Sequence, residues 1–312
     1  MNKEKSFLRN VIGEYMTTLG EKNENVVIVN ADLAGTCRNT SFVEKYPDRA
    51  FNVGIAEQNM VSFAAGLSVE GFIPYAFSMA PFLTMRALEQ CRTDVAYGNR
   101  NVKLMGVYAG VTGGISGATH WAVEDCGIMT SVPGMSVFEV SDAILARKLM
   151  DYTLEKEGPT YIRIGVEPTE NIYNEDISVC TGGSVLAKDG EDGMILCSGV
   201  VVQYALEAAK RLRENYGKQI GVVDMYSIKP IDETAIEKAA ATGHILVAQD
   251  HVEHGGLGMQ VANVLVKKGL QTRFSYVGLP DRFVPMAHAP YLYHEFHLDG
   301  EGLAAEMLKL WE

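Results

Sequence analysis

The chain has 312 residues, enough for about two domains, and its 47% apolar and 21% charged content is that of a packed globular protein rather than a disordered one. A net charge of −12 opposes the phosphate backbone of nucleic acids and anionic membranes, so neither is an expected partner. Five scattered cysteines show no disulfide framework and no zinc spacing, the opening MNKEKSFLRN has no signal-length apolar run, and no stretch is long enough to span a bilayer, which implies a reduced, cytoplasmic setting.

Along the chain, Phe7, Leu8, Val11, Ile12, Tyr15, Met16 and Leu19 share one face at helical spacing. Val26 to Val29 is a compact buried-strand run. Glu57 to Leu67 predicts a helix, Phe72 to Tyr75 a strand, and Phe82 to Tyr97 a long helix. Val102 to Tyr108 predicts a strand, followed by a glycine-rich loop through His120. Ser136 to Val140 and Thr160 to Ile164 read as strands. Between them Asp142 is placed to cap a helix, its carboxylate free to accept from first-turn amides.

The polar stretch VEPTENIYNEDISVCTGG then breaks the pattern and reads as a linker. A second series follows, with strands at 194–197, 220–223 and 245–247 and helices at 204–216, 233–241 and 257–268. Strands alternating with helices predict an α/β protein of two domains, each a mainly parallel sheet flanked by helices. The boundaries are 1–168, a linker at 169–184, and 185–312. In such sheets, ligands bind beyond the carboxyl ends of the strands.

Several residues there could carry chemistry. Glu57, in FNVGIAEQNM, follows a short apolar run and opens a helix; it is either a first-turn acid serving the helix dipole or a working carboxylate. Asp32 ends the first strand, either as a turn residue or as part of a site. His120 closes a loop whose glycines could bring amides close to a ligand, although the P-loop pattern is absent. Arg163 ends a strand, where a guanidinium suits either a phosphate or a salt bridge. Asp250, His251, Glu253 and His254 cluster before Gly255, yet the two histidines alone are a weak zinc pattern, and no metal ligands are assigned to this chain.

The run GIAEQNMVSFAAGLSVEG resembles the pyrimidine-domain signature of transketolases and of 1-deoxyxylulose-5-phosphate synthases. The resemblance extends over essentially the whole chain and implies a thiamine-diphosphate enzyme. Its fold would be a transketolase pyrimidine domain followed by the family's C-terminal domain. Glu57 takes the place of the glutamate that hydrogen-bonds N1′ of the aminopyrimidine. That bond favours the imino tautomer, which activates the thiazolium carbon for attack on a ketose.

By the same resemblance, Phe82 and Met79 belong to the bed of the pyrimidine ring, and Asp32 lies near the thiazolium. Thr36, His120 and Arg163 contact the sugar or its phosphate, with His120 also moving protons. Phe77 stands between ring bed and core. Ser116 and Tyr108 replace the family's usual Asp and His at sugar-reading positions, which leaves the donor sugar open. The Gly-Asp-Gly…Asn motif that holds Mg²⁺ and the diphosphate is not in this sequence. The resemblance therefore implies a companion N-terminal subunit supplying the pyrophosphate domain and Mg²⁺, in an α2β2 assembly that transfers a two-carbon ketol unit between sugar phosphates. Synthesis of deoxyxylulose phosphate, a 2-oxo acid dehydrogenase β chain and a non-catalytic regulatory partner stand as alternatives.

Overall fold

The computed structural model describes residues 5–312. Its strands are β1 (Lys5–Phe7), β2 (Val26–Asn30), β3 (Ala50–Asn52), β4 (Ile73–Met79), β5 (Lys103–Val107), β6 (Ser136–Glu139) and β7 (Thr160–Ile164), then β8 (Pro168–Glu170), β9 (Val185–Lys188), β10 (Gly193–Cys197), β11 (Ile220–Asp224), β12 (Ser227–Lys229), β13 (His244–Val252) and β14 (Arg273–Leu279). One sheet runs β12-β6-β7-β5-β4-β2-β3 and another β14-β13-β10-β11-β9. Both are parallel except at one edge, where β12 and β9 run antiparallel to β6 and β11.

Burial on both faces explains the composition of the strands. In β2, β5, β7, β10 and β11 every residue is buried, so these strands read as continuous apolar runs rather than alternating ones. The period of two shows in where the side chains go. Val26 and Ile28 pack under the helices Leu8–Lys22 and Ala143–Glu155, while Val29 faces the helix Glu57–Val69 on the other side. The core around Val29, Met60 and Leu104 continues without a break into Met225, Leu257 and Val261 of the second half. The two halves are also stitched by β12, which leaves the second half to pair with β6 of the first sheet.

Local signals explain most element boundaries. Asp142 caps the helix Ala143–Glu155 as expected, accepting from the Leu145 amide at 2.7 Å. Its second oxygen accepts from the amides of Ile172 and Tyr173, so the same carboxylate also pins the connecting segment.

Four expectations need correction. Phe7 is not part of the first helix; it lies in β1, half exposed, where β1 pairs with β8. The segment 82–97 is not one regular helix: π-type turns at Phe82–Arg86 and Cys91–Tyr97 flank a single α turn at Leu88–Gln90. The connecting segment contains β8. Finally, β13 runs on to Val252, which puts Asp250 and His251 inside a strand.

Candidate functional site

The site is set by topology. Strands β5, β4, β2 and β3 lie side by side and parallel, so the segments leaving their carboxyl ends emerge together. Asp32 follows β2, Glu57 follows β3, Met79 ends β4 with Phe82 just beyond, and Tyr108 follows β5.

Glu57 begins its helix, where unpaired first-turn amides favour an acid. Its side chain is only 5% exposed, and among the described residues its one hydrogen-bond donor is Arg86, with Nη1 at 3.1 Å from Oε1. The Arg86 guanidinium also lies 3.9 Å from the centre of the Phe82 ring. The Phe82 ring in turn meets the His120 ring edge-on, with centroids 5.5 Å apart. Glu57, Arg86, Phe82 and His120 thus form one chain of contacts across the strand ends. The wide turn at Phe82–Arg86 brings the ring and the guanidinium onto a common face, and such π turns recur at functional sites.

The other expected residues make contacts of their own. Asp32 has a left-handed backbone, φ 59°, stabilised by reciprocal bonds with Asn52: the Asp32 amide donates to Asn52 Oδ1, and Asn52 Nδ2 donates to Asp32 Oδ1, both at 3.0 Å. The Gly54 amide donates to the same Asn52 oxygen at 3.1 Å, which ties Asp32 to the segment that leads to Glu57. Thr36 is half-buried on the short helix Ala34–Cys37. The Tyr108 hydroxyl accepts from Arg9 Nη1 at 2.9 Å. Met79 is half-buried against the core beside it, and Ser116 is exposed on a tight turn. His120 Nδ1 sits 2.8 Å from the Thr119 hydroxyl, and Nε2 has no partner among the described residues. Phe77 is fully buried core.

Arg163 is a correction. It is 1% exposed and its donors are consumed internally. Nε donates to both Asp125 oxygens at 3.0 and 2.9 Å, Nη1 to Glu139, and Nη2 to the carbonyls of Ala122 and Asp250 at 3.1 and 2.6 Å. A guanidinium sealed in this way does not reach a sugar phosphate. It closes the seam between the two halves, where Glu139 also accepts from Ser198 and Gln249 of the second half.

In the histidine pair, His251 spends both ring nitrogens inside the fold. His251 Nδ1 donates to the Val252 carbonyl at 2.7 Å, and Nε2 accepts from the Gly127 amide at 3.1 Å. Burial lowers its pKa, in keeping with a neutral ring that uses both nitrogens. No group of metal-binding side chains occurs among the described residues.

Arg86, Asn52 and Arg9 were not foreseen. Arg86 carried one legible sign, its position four residues after Phe82 on a helical stretch. Asn52 and Arg9 carried none, because their partners are set by tertiary structure.

A wound α/β frame here brings a buried carboxylate, an aromatic face and a histidine together beyond the strand ends, where sheets of this class bind ligands. Comparison with known families gives the particular family. The model described as "Transketolase, pyrimidine binding domain" matches residues 5–168, and "Transketolase, C-terminal domain" matches residues 182–303. The chain belongs to the transketolase family and carries its pyrimidine-binding and C-terminal domains. It is 34% identical to a subunit of the apulose-4-phosphate transketolase of Phocaeicola vulgatus, with 93% of each chain covered. It is 33% identical to the 1-deoxy-D-xylulose-5-phosphate synthase of Syntrophotalea carbinolica, over 95% of this chain but 47% of that protein. A solved structure described as "Split gene transketolase, inactive beta4 tetramer" superposes with a TM-score of 0.88 at 35% identity, covering 98% of both chains.

Proposed function

We propose that this chain is the pyrimidine-binding subunit of a two-chain, thiamine-diphosphate-dependent transketolase that moves a two-carbon ketol unit between sugars. The observation that carries the reading is the dry Glu57 carboxylate beside the face of Phe82. The slot fits the cofactor's aminopyrimidine: a flat, N–H-donating cation, the Arg86 guanidinium, already lies on Phe82 and donates to Glu57. When bound, thiamine diphosphate supplies the nucleophilic carbon and the electron sink.

The chain's own part is positional and protonic. Glu57 accepts a hydrogen bond from a ring nitrogen and holds the proton there, in a setting where water competes poorly. Phe82 supports the ring face and Met79 fills the space beside it. His120, whose Nε2 has no partner among the described residues, would take or return a proton of a sugar hydroxyl. Asp32, Thr36, Ser116 and Tyr108 are assigned to the sugar side of the site. With Arg163 sealed away, a phosphate on the sugar must be gripped by other residues.

The diphosphate and Mg²⁺ are assigned to a companion chain, in an α2β2 assembly acting in the cytoplasm. Two relatives support the need for a companion: one is named as a subunit of a transketolase, and the other is described as inactive as a β4 tetramer. Among the described residues no helix is long and apolar enough to cross a membrane.

The test is Glu57→Gln in the assembled enzyme. The variant is expected to fold and assemble but to lose exchange of the C2 proton of bound cofactor; normal exchange would overturn the assignment. Xylulose 5-phosphate with ribose 5-phosphate, run against pyruvate with glyceraldehyde 3-phosphate, separates ketol transfer from deoxyxylulose-phosphate synthesis.

A further inference from the structure

The loop from Ala109 to Trp121 presents Ser116 and His120, and its base is held from two sides: the Ala109 amide donates to the Ile164 carbonyl of its own sheet at 3.2 Å, and the residues beyond it are held by the second domain. Val111 is fully buried and Trp121 nearly so, and both pack into the core of the second sheet, among residues such as Leu246, Ala248 and Val284. The Val111 amide donates to both oxygens of Asp250 on β13, at 3.0 and 3.1 Å. The Tyr293 hydroxyl donates to the same carboxylate at 2.8 Å. The fit is tight. Gly110 has φ 63°, and a Cβ there would lie 2.0 Å from Asp250 Oδ2, so the loop can pass the carboxylate only as glycine. The tip, by contrast, is open: Ile115 is 62% exposed, and Ser116, Ala118 and Thr119 are exposed too.

We propose that Asp250 is a positioning residue through which the C-terminal domain sets the conformation of the loop carrying Ser116 and His120. The inference deepens the functional reading above and rests on it for its catalytic consequence. A loop fixed at its base, with exposed side chains at its tip, carries the His120 ring that meets Phe82. The carboxylate supplies the anchor because it can accept from an amide and a hydroxyl at once, in a place where neither donor has water. Asparagine has the same shape, but its one oxygen cannot serve all three contacts, and its NH₂ would face a donor.

The experiment uses the full chain assembled with its companion. Asp250→Asn is expected to speed amide hydrogen exchange across residues 111–120 while leaving the helix Leu8–Lys22 unchanged. Turnover, kcat, should fall at least tenfold, with thiamine-diphosphate affinity kept within about threefold. Wild-type exchange in the loop together with wild-type kcat overturns the proposal, as does a uniform rise in exchange over the whole chain. If Asp250→Asn does not fold, Tyr293→Phe decides. It removes one donor and little volume, and must raise loop exchange selectively for the proposal to stand. Should the wild-type assembly transfer no ketol unit, the functional reading fails, while loop exchange still decides whether Asp250 sets the loop.

Discussion

Two arginines meet carboxylates in this chain under opposite conditions. Arg163 is 1% exposed, with Asp125 and Glu139 on one side and two carbonyls on the other. Arg86 is 52% exposed and holds Glu57 by a single bond, with its flat face resting on Phe82. The first pair is dry on all sides, so separating it exposes charges to a medium that cannot solvate them. The second has water on one side, so another flat donor can replace the arginine at little cost. The sealed arginine joins the two halves, and the open one is held by far less. Charge at a strand end does not say which role applies; access to solvent does.

The sharpest way to break this contrast is Arg163→Met. It leaves Asp125 and Glu139 buried without their cation, which should cost about 3–5 kcal/mol of stability. The denaturant midpoint of the full chain reads the loss. A shift equivalent to less than about 1 kcal/mol would show that the seam is solvated and that Arg163 is not sealed. Arg163→Lys keeps the charge but not the fork, so it should recover only part of the loss.

The same contrast shows what was legible in the sequence. Glu57 was legible because its neighbours on both sides carry a family pattern, and the parallel α/β frame because strands buried on both faces read as apolar runs. Phe82 and His120 could be named, but not their contact, which joins two loops that meet only in the fold. Arg163 was named for the wrong role. Its four partners come from three separate stretches, at residues 122–125, 139 and 250, and no local spacing announces them. Edge strands such as β9 and β12 were missed because each has three or four residues and owes its pairing to a partner far along the chain.

A smaller effect probes the second buried carboxylate near the seam. Asp224 is fully buried, accepts from the hydroxyls of Ser141 and Tyr173 on Oδ2, and has no partner on Oδ1 among the described residues. Burial pushes its pKa up to about 7 against the stabilising pull of those hydroxyls; Asp142 and Glu139 also act to raise it. A carboxyl raised in this way binds a proton in the folded state that the unfolded chain has already released. Its contribution to stability is therefore full below about pH 4 and is lost as pH rises through about 7. The advantage of Asp224→Asn over wild type should therefore be larger near pH 8 than near pH 5, by about 2–3 kcal/mol. Chemical denaturation at the two pH values checks the sign. An advantage that does not grow with pH would mean that Asp224 is not the titrating group.

The smallest stability change belongs to the open pair. Arg86→Ala removes one half-exposed ion pair and one cation–aromatic contact, so the full chain should lose no more than about 1 kcal/mol. Its effect on binding is what separates the two arginines. If Arg86 only occupies the slot, its removal frees Glu57 and the Phe82 face, and thiamine diphosphate should associate faster with the assembled enzyme. Arg86→Gln, which still donates but carries no charge, should fall between the alanine variant and wild type. Stopped-flow quenching of intrinsic fluorescence can follow the association. Slower association, or faster release, in Arg86→Ala would make Arg86 a grip on the bound cofactor, so that both arginines would be holding elements and the contrast between them would be one of solvent access alone.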